Sequence, residues 1–444
     1  MNGFLKELKD RVLIYDGSKG TMLQRFGLKG GESPELWNVT HSQTVRKIYA
    51  FYKDSGSDVI QTNTFQGNRI CLEKYSLGDR IYELNYEGAR LAREVMGRDG
   101  YVAASIGPTG RLFEPLGELT FEQAYEVFKE QILAVVDGGV DVINFETFTD
   151  LSELRAALLA AKEATGLPVI CSMAFESNGR TLMGTDPLVA AIVLNSLGAD
   201  MVGANCSFGP GQMMDIIRKM SEISGIYLCA KPNAGLPEIV EGKTFYSETA
   251  EDFARYAPEF LKYGVRLIGG CCGTTPEFIK AIKDALNGFQ APVHVGRRHK
   301  VITSDLKMVN IENIETLKIA QVDASSDGKL ARELMNGNIE FIFDKSSEIF
   351  EEGCDAVYIN VDAVGVGKDL LAEVVNNAQS VLKAPFILET ASSTALDKAL
   401  RLYRGKAGVV IDSDSNSGIK IEDLLVTAKK YGSTVIEKGL LNHV

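Results

Sequence analysis

Short runs rich in β-branched and apolar residues recur along the first two-thirds of the chain, each followed by a stretch with helical spacing. The runs are Val12–Tyr15, Asp58–Gln61, Val102–Ser105, Val140–Phe145, Val169–Met173, Met201–Gly203, Ile226–Cys229 and Val265–Gly269. Strands alternating with helices predict parallel βα units. Eight such units in about 250 residues fit an α/β fold of the (β/α)8, or TIM, barrel kind. Helix starts agree. Asp150-Leu-Ser-Glu153 reads as a capping box, with Asp150 taking an orphan N–H and Glu153 reaching back. Leu154, Ala157, Leu158 and Ala161 then share one face. Thr120 and Gln123 open another helix in the same way, and Thr275-Pro276 places a cap before a proline at the first helical position.

Between Asn287 and Lys300 the pattern breaks at Gly288, Pro292 and Gly296, next to the basic residues Arg297, Arg298 and Lys300, as in an exposed linker. A second βα region follows, with strands expected near Ala356–Val361, Phe386–Glu389, Gly408–Ile411 and Thr434–Ile436. It is too short for another full barrel of about 250 residues. The expected organisation is a barrel over 1–288, a linker over 289–306 and a smaller, incomplete βα domain over 307–444.

Composition narrows the function classes. A formal net charge of -12 argues against a nucleic-acid backbone as partner. No apolar run approaches the roughly 20 residues needed to span a bilayer, and Met1 to Arg11 reads as a short amphipathic helix, not a signal peptide. The seven cysteines are an odd number, which points to a reducing, cytoplasmic setting and away from a disulfide framework.

Cysteine placement carries the chemistry. Gly269-Gly-Cys-Cys-Gly-Thr-Thr-Pro276 begins where the eighth strand ends, on the face where barrels build active sites. Adjacent cysteines do not readily bridge each other, and flanking glycines let both sulfurs turn towards one centre. Cys206, in Gly203-Ala-Asn-Cys-Ser-Phe-Gly-Pro210, holds the same kind of position after the sixth strand. The bland reading is three separate half-buried thiols. The shared rim favours a metal on Cys206, Cys271 and Cys272, with the fourth position of a tetrahedral zinc left open. Such a centre carries a charge of about −1 and suits a soft sulfur ligand, deprotonating an incoming thiol without quenching it as a nucleophile.

Other rim residues leave alternatives open. Asp16-Gly17-Ser18-Lys19-Gly20-Thr21 ends the first strand as either a nest for a carboxylate or a tight turn. Glu146, in Asn144-Phe-Glu-Thr147, reads as an ammonium site or a helix-terminus carboxylate. Asn63 and Asn233 either touch substrate or bind backbone. Cys171 and Cys229 are expected in the core, Cys71 and Cys354 lack partners at ligand spacing, and His294 and His299 fall in the linker.

These residues resemble a known family. Asn205-Cys206, Gly269 to Pro276, Thr62-Asn-Thr-Phe65 and Pro232-Asn-Ala-Gly235 look like the homocysteine S-methyltransferases, most of all the homocysteine-binding module of cobalamin-dependent methionine synthases. The resemblance covers about residues 1–290. It implies a zinc barrel that converts homocysteine to methionine, with the metal on Cys206, Cys271 and Cys272 and substrate near Asp16, Gly17, Ser18 and Glu146, to which the loop reading adds Asn233. One departure is Lys19, where the family's first turn usually has methionine. A lysine there could meet a substrate carboxylate, a partner or water.

The second region resembles the first half of that enzyme's pterin-binding barrel. Tyr358-Ile-Asn-Val-Asp362 stands for an Asp-x-Asn-x-Asp strand, and Glu389 with Ser392-Ser393 stands near an Asp-Ser-Ser run. It is expected to be a remnant or docking module. No Asp-x-His-x-x-Gly run for cobalamin occurs, so the implied donor is methylcobalamin or another methylcorrinoid on a separate corrinoid protein. The alternatives are an S-methylmethionine or other onium donor, or a non-catalytic docking protein of corrinoid metabolism.

Overall fold

The computed structural model describes residues 3–223, 225–240, 243–289, 296, 300–364, 369–412 and 421–441. The chain divides into two compact units, residues 1–195 with 199–297 and residues 298–444 with 196–198. Among the described residues no helix is long and apolar enough to cross a membrane.

The first unit is built on eight strands: β1 (Leu13–Ile14), β2 (Val59–Gln61), β3 (Tyr101–Ile106), β4 (Val142–Phe148), β5 (Val169–Met173), β6 (Met201–Asn205), β7 (Tyr227–Lys231) and β8 (Val265–Ile268). They pair in the order β1-β8-β7-β6-β5-β4-β3-β2, all parallel, and a parallel bridge from Tyr15 to Val59 joins the two ends. This is the expected (β/α)8 barrel. The amphipathic N-terminal helix, Gly3–Asp10, seals its floor. Phe4 and Leu8 are fully buried against Leu13, Val59, Ala103, Val142, Ile170, Met201, Cys229 and Leu267, one position from each strand. Burying two such side chains contributes roughly 1.5–3 kcal/mol each, and it leaves the opposite rim as the open end.

The helix caps mostly follow the sequence. Thr120 and Gln123 form the reciprocal capping box, and Asp150 caps its helix by accepting from the Ser152 N–H. Glu153 does not reach back as expected. Its carboxylate accepts from the backbone and hydroxyl of Thr109, 2.7 and 2.6 Å away, because it lies buried beneath the loop after β3. Thr275 also departs from expectation: it precedes Pro276 at the helix start, but its buried hydroxyl has no hydrogen-bond partner. An antiparallel hairpin, Pro237–Val240 with Lys243–Tyr246, interrupts the alternation between β7 and β8.

The second unit holds a parallel sheet of β9 (Ile319–Asp323), β10 (Ala356–Asn360), β11 (Phe386–Glu389), β12 (Gly408–Ile411) and β13 (Thr434–Glu437), paired in sequence order. A small antiparallel pair, Val301–Thr303 with Met308–Asn310, adds Ile302 and Val309 to a cluster with Ala356, Ile387, Val410 and Ile436. Its first strand falls inside the span read as linker. Residues 290–295 and 297–299 of that span, including His294 and His299, lie outside the described residues.

Candidate functional site

Three sulfurs meet at the open rim of the barrel. Cys206 follows β6, Cys271 and Cys272 follow β8, and all three sulfurs lie within 4.8 Å of one another. Among the described residues this is the one group of three or more Cys, His, Asp or Glu side chains with that geometry. Cys206 and Cys272 are 3.8 Å apart at sulfur. Tetrahedral coordination with bonds of about 2.3 Å would separate two sulfurs by about 3.8 Å, so this donor set fits zinc.

Local backbone explains the convergence. Cys206 and Ser207 both take left-handed conformations, at φ of 62° and 63°, which turn the chain back across the rim. The end of β7 and the loop after it stitch the two cysteine turns together. Lys231 O accepts from Cys206 N–H at 3.1 Å, Pro232 O from Cys271 N–H at 2.7 Å, and Asn233 Oδ1 from Cys272 N–H at 3.1 Å. Gly273 is left-handed at φ 82°, and a Cβ there would fall 2.4 Å from the Tyr246 ring.

Crowding and burial raise all three thiols. Hydrogen bonding with Cys271 lowers the Cys206 thiol, but its bond to Cys272 and burial outweigh this and push it up to about 11. Cys272 is eased by Cys206, yet the bond and charge of Cys271 together with burial push it up to about 12. Cys271 is raised as well, first by its bond with Cys206. A divalent cation held by these residues would bind them as thiolates, releasing their protons.

The sulfurs form one wall of a cavity of about 370 Å³ that also includes Gly17, Ser18, Lys19, Asn63, Glu146 and Thr147. Gly17 is required by close approach, because a Cβ would fall 2.8 Å from Thr274 Oγ1. Ser18 caps the helix Lys19–Arg25, accepting from the Thr21 N–H at 3.1 Å. Asp16 is fully buried behind this turn, where Oδ2 accepts from Gln61 N–H at 2.8 Å and from Lys19. Glu146 Oε1 accepts from Gln61 Nε2 and Ser105 Oγ, while Oε2 is paired with Lys231. Asn63 and Asn233 bind backbone: Asn63 Nδ2 donates to Pro34 O at 2.7 Å, and Asn233 holds the double-cysteine turn.

Four residues of this network are given no site role by the sequence, although Asn205 stands in the Asn205-Cys206 pair. Lys231 is fully buried, and although burial lowers its ammonium, Glu146 together with Cys229 and Cys271 outweighs that and holds it above its ordinary value. Asn205 bridges Thr147 and the sulfur cluster. It accepts from Thr147 N–H at 2.7 Å and donates to Thr147 Oγ1 at 2.7 Å and to Cys271 Sγ at 3.7 Å. Gln61 and Ser105 orient Glu146. Only the position of each at a strand's C-terminal end could have marked them. Cys171 and Cys229 are core residues, as expected. A larger hollow of about 720 Å³, against Phe26, Trp37, His41 and Tyr75, contains no cysteine and lacks this chemistry.

The chain is similar to several known proteins. A methionine synthase of Mycobacterium tuberculosis (strain ATCC 25618 / H37Rv) is 29% identical over 433 residues, covering 91% of this chain and 36% of that protein. Another, from Mycobacterium leprae (strain TN), is 32% identical over 302 residues, covering 64% of this chain and 25% of that protein. The chain thus spans about a third or less of the length of these curated relatives. In fold it is similar to the homocysteine methyltransferase MmuM from Escherichia coli, metallated form, with a TM-score of 0.55 at 21% identity over 64% of this chain and 98% of that one. A family model for homocysteine S-methyltransferase matches residues 13–286, more than half of the sequence, and the chain belongs to that family.

Proposed function

We propose that this protein moves a methyl group from a methylcorrinoid to the thiol of homocysteine, giving methionine, with zinc on Cys206, Cys271 and Cys272. The convergence of three sulfurs within 4.8 Å on the barrel rim carries the reading. Zinc bound there would make a thiol at its open position more acidic while leaving the sulfur nucleophilic.

The chain's own residues supply the rest. Asn205 directs an N–H at Cys271 Sγ, which fixes that sulfur and spreads its charge. Asn233 sets the Cys271-Cys272 turn through the Cys272 N–H. Gly17 and Ser18 line the approach and keep it narrow, with Asp16 anchoring their turn from below. Glu146, oriented by Gln61 and Ser105, forms the facing wall. The cavity opens at the rim, so the donor meets the thiol from outside the barrel. Displacement then transfers CH3 to sulfur, and the corrinoid leaves with the electron pair of its carbon bond. The methionine synthase relatives motivate the corrinoid donor.

The test is methionine formation from homocysteine and methylcobalamin by reduced, zinc-replete protein. Formation that stops after chelation and in Cys206→Ser supports the proposal. Zinc-bound protein that uses S-methylmethionine and not methylcobalamin would replace the corrinoid with an onium donor. Zinc-bound protein that methylates no thiol from either donor would sink the enzymatic reading.

A further inference from the structure

Two acids at the cavity, Glu146 in its wall and Asp16 behind it, are already matched by lysines. Lys231 Nζ is paired with Glu146 and lies 4.7 Å from the Tyr15 ring centroid, with its side chain 1% exposed. Lys19 Nζ is paired with Asp16, donates to Gly17 O at 3.3 Å and lies 4.9 Å from the Tyr52 ring centroid. These four charges sum to zero. The two cations are not placed alike, however: Lys19 lines the cavity and Lys231 does not.

A homocysteine zwitterion brings a carboxylate and an ammonium into this space. Glu146 lines the wall, but Oε1 already accepts two hydrogen bonds and Oε2 holds a lysine. A second ammonium on that carboxylate would stand beside the first and be repelled by it. Glu35, the other acid on the wall, accepts from Gln66 N–H and Ser33 Oγ, one bond on each oxygen, and burial raises its carboxyl towards the neutral form. Asp16 Oδ1 has no partner, but Asp16 is fully buried and is not part of the wall. For the substrate's carboxylate the situation is reversed. An ammonium has three donors, and Lys19 uses two of them on Asp16 and Gly17, leaving one.

We propose that Lys19 is the carboxylate receptor of this site, and that the acceptor class is an ω-mercapto carboxylate whose α-ammonium contributes nothing to binding. The inference rests on the thiol-acceptor reading above and sharpens it. Homocysteine remains a member of the class, but its amino group is not what selects it.

Zinc-loaded protein can be titrated calorimetrically with three thiols: L-homocysteine, 4-mercaptobutanoate, which lacks only the ammonium, and 3-aminopropane-1-thiol, which lacks only the carboxylate. Removing the ammonium should change Kd by less than about threefold, and removing the carboxylate should weaken binding by about tenfold or more. Lys19→Met, checked for folding by circular dichroism, should bring homocysteine close to 3-aminopropane-1-thiol. Lys19→Arg should retain part of the difference. Tenfold tighter binding of homocysteine than of 4-mercaptobutanoate would overturn the inference and return Glu146 to an ammonium role. Unchanged carboxylate discrimination in Lys19→Met would overturn it as well. Failure of all three thiols to bind zinc-loaded protein would instead remove the thiol-acceptor reading, and the inference with it.

Discussion

The two units use the same alternation of strand and helix and end in very different rims. In the barrel, loops after β6 and β8 bring sulfurs from two strands to one point, although β7 lies between them. In the five-stranded sheet, groups at the strand ends pair with their neighbours. Tyr358 donates to Glu389 Oε2 at 2.7 Å, Lys438 to Glu389 Oε1 at 2.9 Å, and Asp362 accepts from Thr390 Oγ1 at 2.8 Å and Ala391 N–H at 2.6 Å. Next-nearest strands in a flat sheet stand about 9.5 Å apart. Closing a sheet turns a row of strand ends into a focus, and the left-handed turn at Cys206 completes it. The alternation therefore makes the architecture, while curvature and a strained turn make the site.

The strongest way to break that comparison is to remove one donor. Cys272→Ser should lower zinc affinity by about 10³-fold or more, leaving purified protein with little metal while its circular dichroism is kept. Metal analysis after dialysis against a weak chelator measures it. Full zinc retention in this variant would mean that the focus is not the metal site.

Proton competition comes next. With Cys206 at about 11, Cys272 at about 12 and Cys271 also raised, the metal-free cluster holds its protons at neutral pH. Binding a metal must release them, so apparent affinity rises with pH and falls as pH drops. The slope should approach three protons per ion, or about 10²–10³-fold per pH unit near neutrality. Chelator competition at pH 6.5 and 7.5, corrected for the chelator's own protonation, reads the slope. A slope near zero would show that the thiols are already ionised.

A smaller effect tests the support behind the focus. Asn205→Ala removes the N–H to Cys271 Sγ and both bonds to Thr147, a left-handed residue at φ 64°. Loss of such an outer contact should cost about 10–100-fold in zinc affinity or methyl transfer. Thr147→Gly in the same background relieves only the backbone, so it should recover little if the sulfur contact dominates.

Much of the molecule is legible in the sequence because it rests on local signals. The eight barrel strands follow from apolar runs, and Cys206, Cys271 and Cys272 stand out through glycines and strand-end placement. What escapes depends on long-range closure. Lys231 ends a strand, and its pairing with Glu146, 85 positions away in the chain, is set only when the barrel forms. Glu153 satisfies a local capping pattern yet turns to Thr109, because a buried carboxylate takes the donors its surroundings offer. The strand β9 escapes for a different reason: of Ile319–Asp323 only Val322 is buried, so this edge strand has a weak apolar signature. The hairpin Pro237–Val240 with Lys243–Tyr246 is hidden in a similar way. Its strands are four residues each and mix Pro237, Glu238 and Lys243 with apolar residues, too short and too polar for the runs that mark the barrel strands.

The smallest prediction bears on the second rim. Tyr358→Phe deletes one hydrogen bond to Glu389 and the weaker one from Asn360 Nδ2 at 3.3 Å, while Lys438 still holds Glu389. A half-buried bond to a charged acceptor is worth about 1–2 kcal/mol, so urea unfolding should show a loss of that size. Zinc content and methyl transfer should stay within about twofold, since nothing in the strand-end pairing of this sheet supplies a sulfur or reaches a thiol. A collapse of methyl transfer with zinc still bound would give the paired rim a part in the reaction, and the contrast between a focused site and a self-satisfied one would no longer hold.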